Sequence, residues 1–291
     1  MTASRRLTAT ASAAALACIL AACGGGGDDN TVGPVPVGDT IVITESGKVA
    51  SFNRAAPGVQ VGSRAIGGLV AGETLLGIDW RPANGLLYAL GSRGNLYTIA
   101  PATGVATFRG TLKAAPGDDQ PYTSLQGTQF GVDFNPVADR LRVVSNSGQN
   151  LRIDVDTGET TTDGVLVQVC EACTTVVPVV TAAAYTNSFK GAVSTQLYVM
   201  DSAVGQLYLQ NPPNNGALTA GTPTGMGGGG VTGLNGFDIE ARTSIGYAAA
   251  RVNQVVALFR VDLASSTRTV TRIGEIGVGE TITGLALVQP E

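Results

Sequence analysis

Histidine is absent from all 291 residues. That excludes a Ser-His-Asp or Cys-His nucleophile, an imidazole general base and any histidine-ligated metal. Basic blocks are absent too. The 18 Lys and Arg are scattered among 22 Asp and Glu, so no nucleic-acid partner is expected. No stretch beyond residue 23 sustains a helical period over ten residues. A single tryptophan, Trp80, leaves little for stacking sugar rings. One apolar run does occur, Leu7 to Ile19, but it is too short to cross a bilayer comfortably as a helix.

That run follows Arg5 and Arg6 and leads into "LAAC", Leu20 to Cys23, which is the order of regions in a secretory signal. "LAAC" followed by "GGGGDD" resembles a bacterial lipobox. The resemblance implies cleavage before Cys23 and a diacylglycerol on its sulfur; the plainer alternative is an ordinary signal peptide. Several acyl chains together anchor a protein stably. Gly24 in place of Asp favours the outer membrane by the sorting pattern of such lipoproteins. The expected organisation is a signal peptide at 1–22, a lipidated cysteine with a flexible tether at 23–39, and one domain at 40–291. Loss of Arg5 and Arg6 leaves 16 basic residues against 22 acidic.

What the chain has in abundance is repetition. "GIDW" (77–80), "GVDF" (131–134), "AAAY" (182–185), "GFDI" (236–239) and "GLAL" (284–287) share one pattern at spacings of 54, 51, 54 and 48 residues. Each of the first four is followed by a turn and a second strand, such as "LLYAL" (86–90) or "LRVVS" (141–145). A third strand follows, such as "NLYTI" (95–99) or "NLRIDV" (150–155), and then a fourth extended run. Four short strands at a period near 50 predict a β-propeller. The last phrase has no blade behind it, while "TIVIT" (40–44), "KVASFN" (48–53) and "VQVGSRAIG" (59–67) have no first strand before them. Joining these ends predicts an all-β, five-bladed propeller whose closing blade is shared by both termini.

"TSLQGTQFGVDFNPVADRLRVVSNSGQNLRIDVDTG" (123–158), with "AAAYTN" (182–187) and "NPPNNGAL" (211–218), resembles the bacterial domain-of-unknown-function family 4394 over about residues 40–288. The resemblance implies a secreted or envelope propeller-like domain and brings no catalytic residues with it.

Asp79, Asp133 and Asp238 occupy one slot in three first strands, with Ala184 and Ala286 in the other two. First strands line a propeller's axis, so these carboxylates are candidates for a collar holding a hard cation such as Ca²⁺. The alternative is that each accepts hydrogen bonds from the next blade. In the unit of Gly131, Arg142 and Arg152 replace Tyr88 and Tyr97 of the preceding unit. Two adjacent guanidiniums form a candidate anion site, or else pair with Asp133, Asp139 or Asp154. "CEAC" places Cys170 and Cys173 where a small disulfide would staple a loop in an exported protein. "GMGGGG" (225–230) lacks the Lys-Ser/Thr ending of a phosphate loop.

These readings point to a non-catalytic binding platform of the cell envelope. Its partner would be an unknown envelope protein or glycan, recognised by the connections 113–128 and 211–216. The alternatives are a carboxylate-based glycan hydrolase and a purely structural envelope component.

Overall fold

The repeat resolves into five antiparallel sheets in the computed structural model, which describes residues 33–169, 177–219, 221–226, 231–265 and 267–289. The expected signal segment with Cys23, and Cys170 with Cys173, lie outside the described residues. Blade 1 runs through Leu75–Arg81, Leu86–Gly91, Asn95–Ala100 and Val105–Thr111. Blade 2 takes Phe130–Asn135, Arg140–Ser145, Asn150–Ile153 and Glu159–Thr162. Blade 3 takes Val180–Tyr185, Leu197–Asp201 and Gln206–Gln210, and its fourth position is split into the two-residue strands Ala217–Leu218 and Thr222–Pro223. Blade 4 takes Val231–Ile239, Ile245–Val252, Val255–Asp262 and Val270–Glu275.

Blade 5 is the one assembled from both ends. Its inner strand, Ile282–Leu287, pairs with Thr40–Thr44 so that Thr40 lies opposite Leu287 and Ile41 opposite Ala286. Lys48–Asn53 and Ala56–Ala65 complete it. The five inner strands neighbour one another in a closed ring, and those of blades 2 and 4 also approach across the axis. The centre is therefore filled rather than open.

Five apolar clusters hold the ring, one at each blade interface. Alternation in the inner strand sends its apolar side chains into these interfaces. Ile78 and Phe134, for example, are 1% and 0% exposed. Each such fully buried side chain contributes about 1.5–3 kcal/mol by leaving water. The glycine that opens the repeated phrase has its own cause. A Cβ on Gly131 would sit 2.6 Å from the amide nitrogen of Ala183 in blade 3, and one on Gly236 would sit 2.7 Å from Cβ of Leu285 in blade 5. Neighbouring inner strands come too close there for a side chain.

The connections seal the blade edges. Lys113–Ala114 adds a parallel pairing to the outer strand of blade 2, and Val167–Gln168 adds one to Ala217–Leu218 of blade 3. Among the described residues, no helix is long and apolar enough to cross a membrane.

Candidate functional site

The axis is organised in layers. At mid-height lie Asp79, Asp133 and Asp238, each offering one carboxylate oxygen within 4.8 Å of the others. They are 3%, 1% and 1% exposed. Their partners follow a rule. Asp79 Oδ2 accepts the amide of Phe134 at 2.7 Å, Asp133 Oδ1 that of Tyr185 at 3.0 Å, and Asp238 Oδ2 that of Leu287 at 2.7 Å. Each partner stands one residue past the same slot in the next blade around the ring. Ala184 and Ala286 cannot reach the equivalent amides of Ile239 and Trp80. Those two are taken by the aspartates beside them, Ile239 by Asp238 at 2.6 Å and Trp80 by Asp79. Three carboxylates thus satisfy five symmetry-related amides, so the hydrogen-bonding alternative read from the sequence describes their geometry.

Burial is the main force on their protonation. It raises the Asp79 and Asp133 carboxyls well above the usual range, with neighbouring aspartates adding to the shift, and it lifts Asp238 to about 7. Backbone amides pull the other way without cancelling the burial. Three buried charges so close together are costly unless neutralised. Asp133 Oδ2 has no hydrogen-bond partner.

Above this layer, where the inner strands begin, the axis opens into an upper mouth of about 380 Å³. Leu76 and Phe130 give it apolar walls, and Glu45 and Glu73 are its charged residues. Glu73 is 7% exposed. Its carboxylate accepts the amide of Arg93, the Asn95 side chain and the Tyr97 hydroxyl at 3.1, 2.9 and 2.5 Å. Gly91 makes room for it, since a Cβ there would lie 2.0 Å from Glu73 Oε1. Two further lining groups, Asn235 Oδ1 and Thr283 Oγ1, are buried and have no partner.

Below the layer, where the inner strands end, a lower mouth of about 420 Å³ is lined by Trp80, Phe189, Val288 and three cations, Arg81, Lys190 and Arg242. Arg81 is committed to blade 2. It grips Asp139 through Nε and Nη2 at 2.9 and 2.7 Å, and both its Nη atoms reach Asp156 at 2.7 Å. This clasp holds the Asp156 carboxyl below its usual range.

The arginine pair of blade 2 is also committed. Arg142 and Arg152 lie directly opposite each other on adjacent strands. Both grip Asp163, at 2.5 and 2.7 Å to Oδ2. Arg152 adds a second bond to Oδ1 at 3.0 Å. Arg142 also donates to the Tyr185 hydroxyl, Asn150 and Asn214. The anion these guanidiniums hold is therefore an internal carboxylate, and not one of the three the sequence put forward. Register corrects the sequence alignment as well. Leu87 pairs with Ile99 and Leu141 with Ile153, so Arg152 corresponds to Thr98, not Tyr97.

The two connections expected to recognise a partner are bound down. Asn214 reaches Arg142, and the Pro213 carbonyl accepts from Asn150 at 3.0 Å and Gln210 at 2.7 Å, which ties residues 211–216 to blade 2. In 113–128, Tyr122 and Leu125 pack on the core between blades 1 and 2. Asp118 of the same connection accepts the Thr162 amide at 2.7 Å. Both mouths escaped the sequence reading, because their walls come from different blades and from positions outside the repeated phrase.

No curated protein sequence matches this chain. A structural genomics protein of unknown function from Bacteroides thetaiotaomicron superposes with a TM-score of 0.49 at 14% identity, over 88% of this chain and 65% of that one. A chain of a nidogen/laminin complex gives 0.49 at 11% identity, over 86% and 99%. Glutaminyl cyclase from Myxococcus xanthus gives 0.43 at 11%, over 75% and 87%. The present chain thus spans about two thirds of the first of these. By sequence, residues 48–286 match the model of the domain of unknown function DUF4394, and the chain belongs to that family.

Proposed function

We propose that this propeller is a non-catalytic binding platform of the cell envelope, held by a lipid on Cys23 and receiving a hydroxyl- and amide-rich glycan in its upper mouth. One observation carries the binding site: buried Asn235 Oδ1 and Thr283 Oγ1 lack partners at the edge of a cavity large enough for a sugar. Unpaired buried polar atoms are unfavourable, and a ligand hydroxyl would satisfy them. Leu76 and Phe130 offer apolar surface for a sugar's C–H face.

The axial carboxylates support binding over hydrolysis. A glycosidase needs two differentiated carboxylates within reach of its substrate. Here the three are sealed, line neither mouth and hold backbone amides. Calcium asks for six to eight oxygens, so protons are the simpler neutralising partner for this layer. The chain also enters the domain from the lower side: the Val35 amide donates to the Ala102 carbonyl at the turn leading to the outer strand of blade 1.

Thermal unfolding of the protein with N-acetylglucosamine oligosaccharides tests the site. At a hundred times the dissociation constant, binding adds about 2.7 kcal/mol, a rise of several degrees. The rise is expected to vanish in Asn235→Ala, and its absence in the unaltered protein would sink the glycan reading. Metabolic labelling with an alkyne palmitate tests the anchor: label lost in Cys23→Ala is expected, and label retained would overturn it.

A further inference from the structure

We infer that the lower mouth is a second binding site, for a small ring compound bearing a carboxylate. Three features of that cavity converge. Its lining contains three cations and no carboxylate, in a chain of net charge −4. With Arg81 neutralised by Asp139 and Asp156, the positive potential of this lining comes from Lys190 and Arg242.

The cations are not equally engaged. Arg81 is saturated by Asp139 and Asp156 and has nothing left to offer an outside anion. Lys190 and Arg242 form no ion pair with any described residue. The guanidinium of Arg242 lies over the Phe189 ring, 4.3 Å from its centroid. That contact holds the guanidinium at the cavity wall, where its N–H groups are available to a carboxylate. Lys190, exposed beside Phe189, supplies a second charge.

Aromatic surface supplies the third feature. Trp80, half-buried, lines the same cavity, and its indole N–H has no acceptor in the protein. A ring lying against Trp80 would bury apolar area there while its carboxylate met Arg242 and Lys190. A volume of about 420 Å³ suits one six-membered ring with its substituents. The same chemistry could come from an acidic sugar or from an aromatic acid.

Trp80 is the only tryptophan, so its emission reports on this mouth and no other. The full chain is titrated with sodium glucuronate, with sodium benzoate and, as controls, with glucose and with sodium chloride at matched ionic strength. A saturable change with glucuronate marks a saccharide site, and one with benzoate marks an aromatic-acid site; glucose and chloride are expected to give none. In Lys190→Gln/Arg242→Gln the midpoint should rise at least tenfold, with the unfolding temperature unchanged because both side chains are exposed. In Asn235→Ala, at the opposite mouth, the midpoint should not move. The inference is overturned if neither acid gives a saturable change, if chloride reproduces it, or if the double variant titrates like the unaltered protein.

Discussion

The two mouths of one axis have opposite character. Glu45 and Glu73 line the upper mouth without a cation, while Arg81, Lys190 and Arg242 line the lower without a carboxylate. Between them lies a layer that obeys the ring's symmetry, three aspartates serving five equivalent amides. The difference teaches where to look for chemistry. Residues that follow the repeat hold the blades together, and the charged residues lining the two mouths, Glu45, Glu73, Lys190 and Arg242, lie outside the repeated phrase.

The contrast can be tested first away from both mouths. Asp163→Ala strands Arg142, which is 1% exposed, and should cost about 3–5 kcal/mol in chemical denaturation while leaving both ligand responses intact. A cost below about 1 kcal/mol would mean that Arg142 finds another partner. Next, Asp79→Ala should cost about 3 kcal/mol by orphaning the amides of Phe134 and Trp80. Asp79→Asn, which keeps an acceptor, should cost less; equal losses would contradict the amide-holding role.

The symmetric layer also has a pH signature. Its carboxyls stay protonated in the folded protein at pH values where the unfolded chain, with aspartates near 3.9, has released those protons. Their contribution is therefore complete below about pH 4 and declines as pH rises, for Asp238 through about 7. Each retained proton contributes about 1.4 kcal/mol per pH unit to the slope in denaturation series. Asp238→Asn should reduce the slope by one proton's share, and a slope unchanged in that variant would place that linked proton elsewhere. Smallest of all, Thr283→Val at the upper mouth should move stability by no more than about 0.5 kcal/mol, since it removes a hydroxyl without a partner. A larger loss would show that this atom is bonded in solution.

Much of the ring could be read from sequence because a blade is local: its strands, turns and glycines recur near a period of 50. The orphan phrase at 284–287 and the headless strands from Thr40 were enough to place the closing blade. The Asp slot was visible, but the sharing of three carboxylates among five amides was not, since it depends on which alanine-bearing blade follows which. The partner of Arg142 and Arg152 was missed because Asp163 sits beyond the outer strand of its blade, in a connection with no repeat. Glu73 was missed for a similar reason: it precedes the first inner strand, and only Gly91 opposite hints that a carboxylate fills the space.

The closing blade has a consequence in time. Its second, third and fourth strands, from Thr40 to Ala65, are made first, and the inner strand they need, Ile282–Leu287, is made last. Until then the early strands have an open edge, and the apolar clusters on either side of blade 5 lack Leu285, Ala286 and Leu287. The ring therefore cannot close until Ile282–Leu287 has been synthesised. A chain stopped a few residues short would lose the contact that joins its beginning to its end.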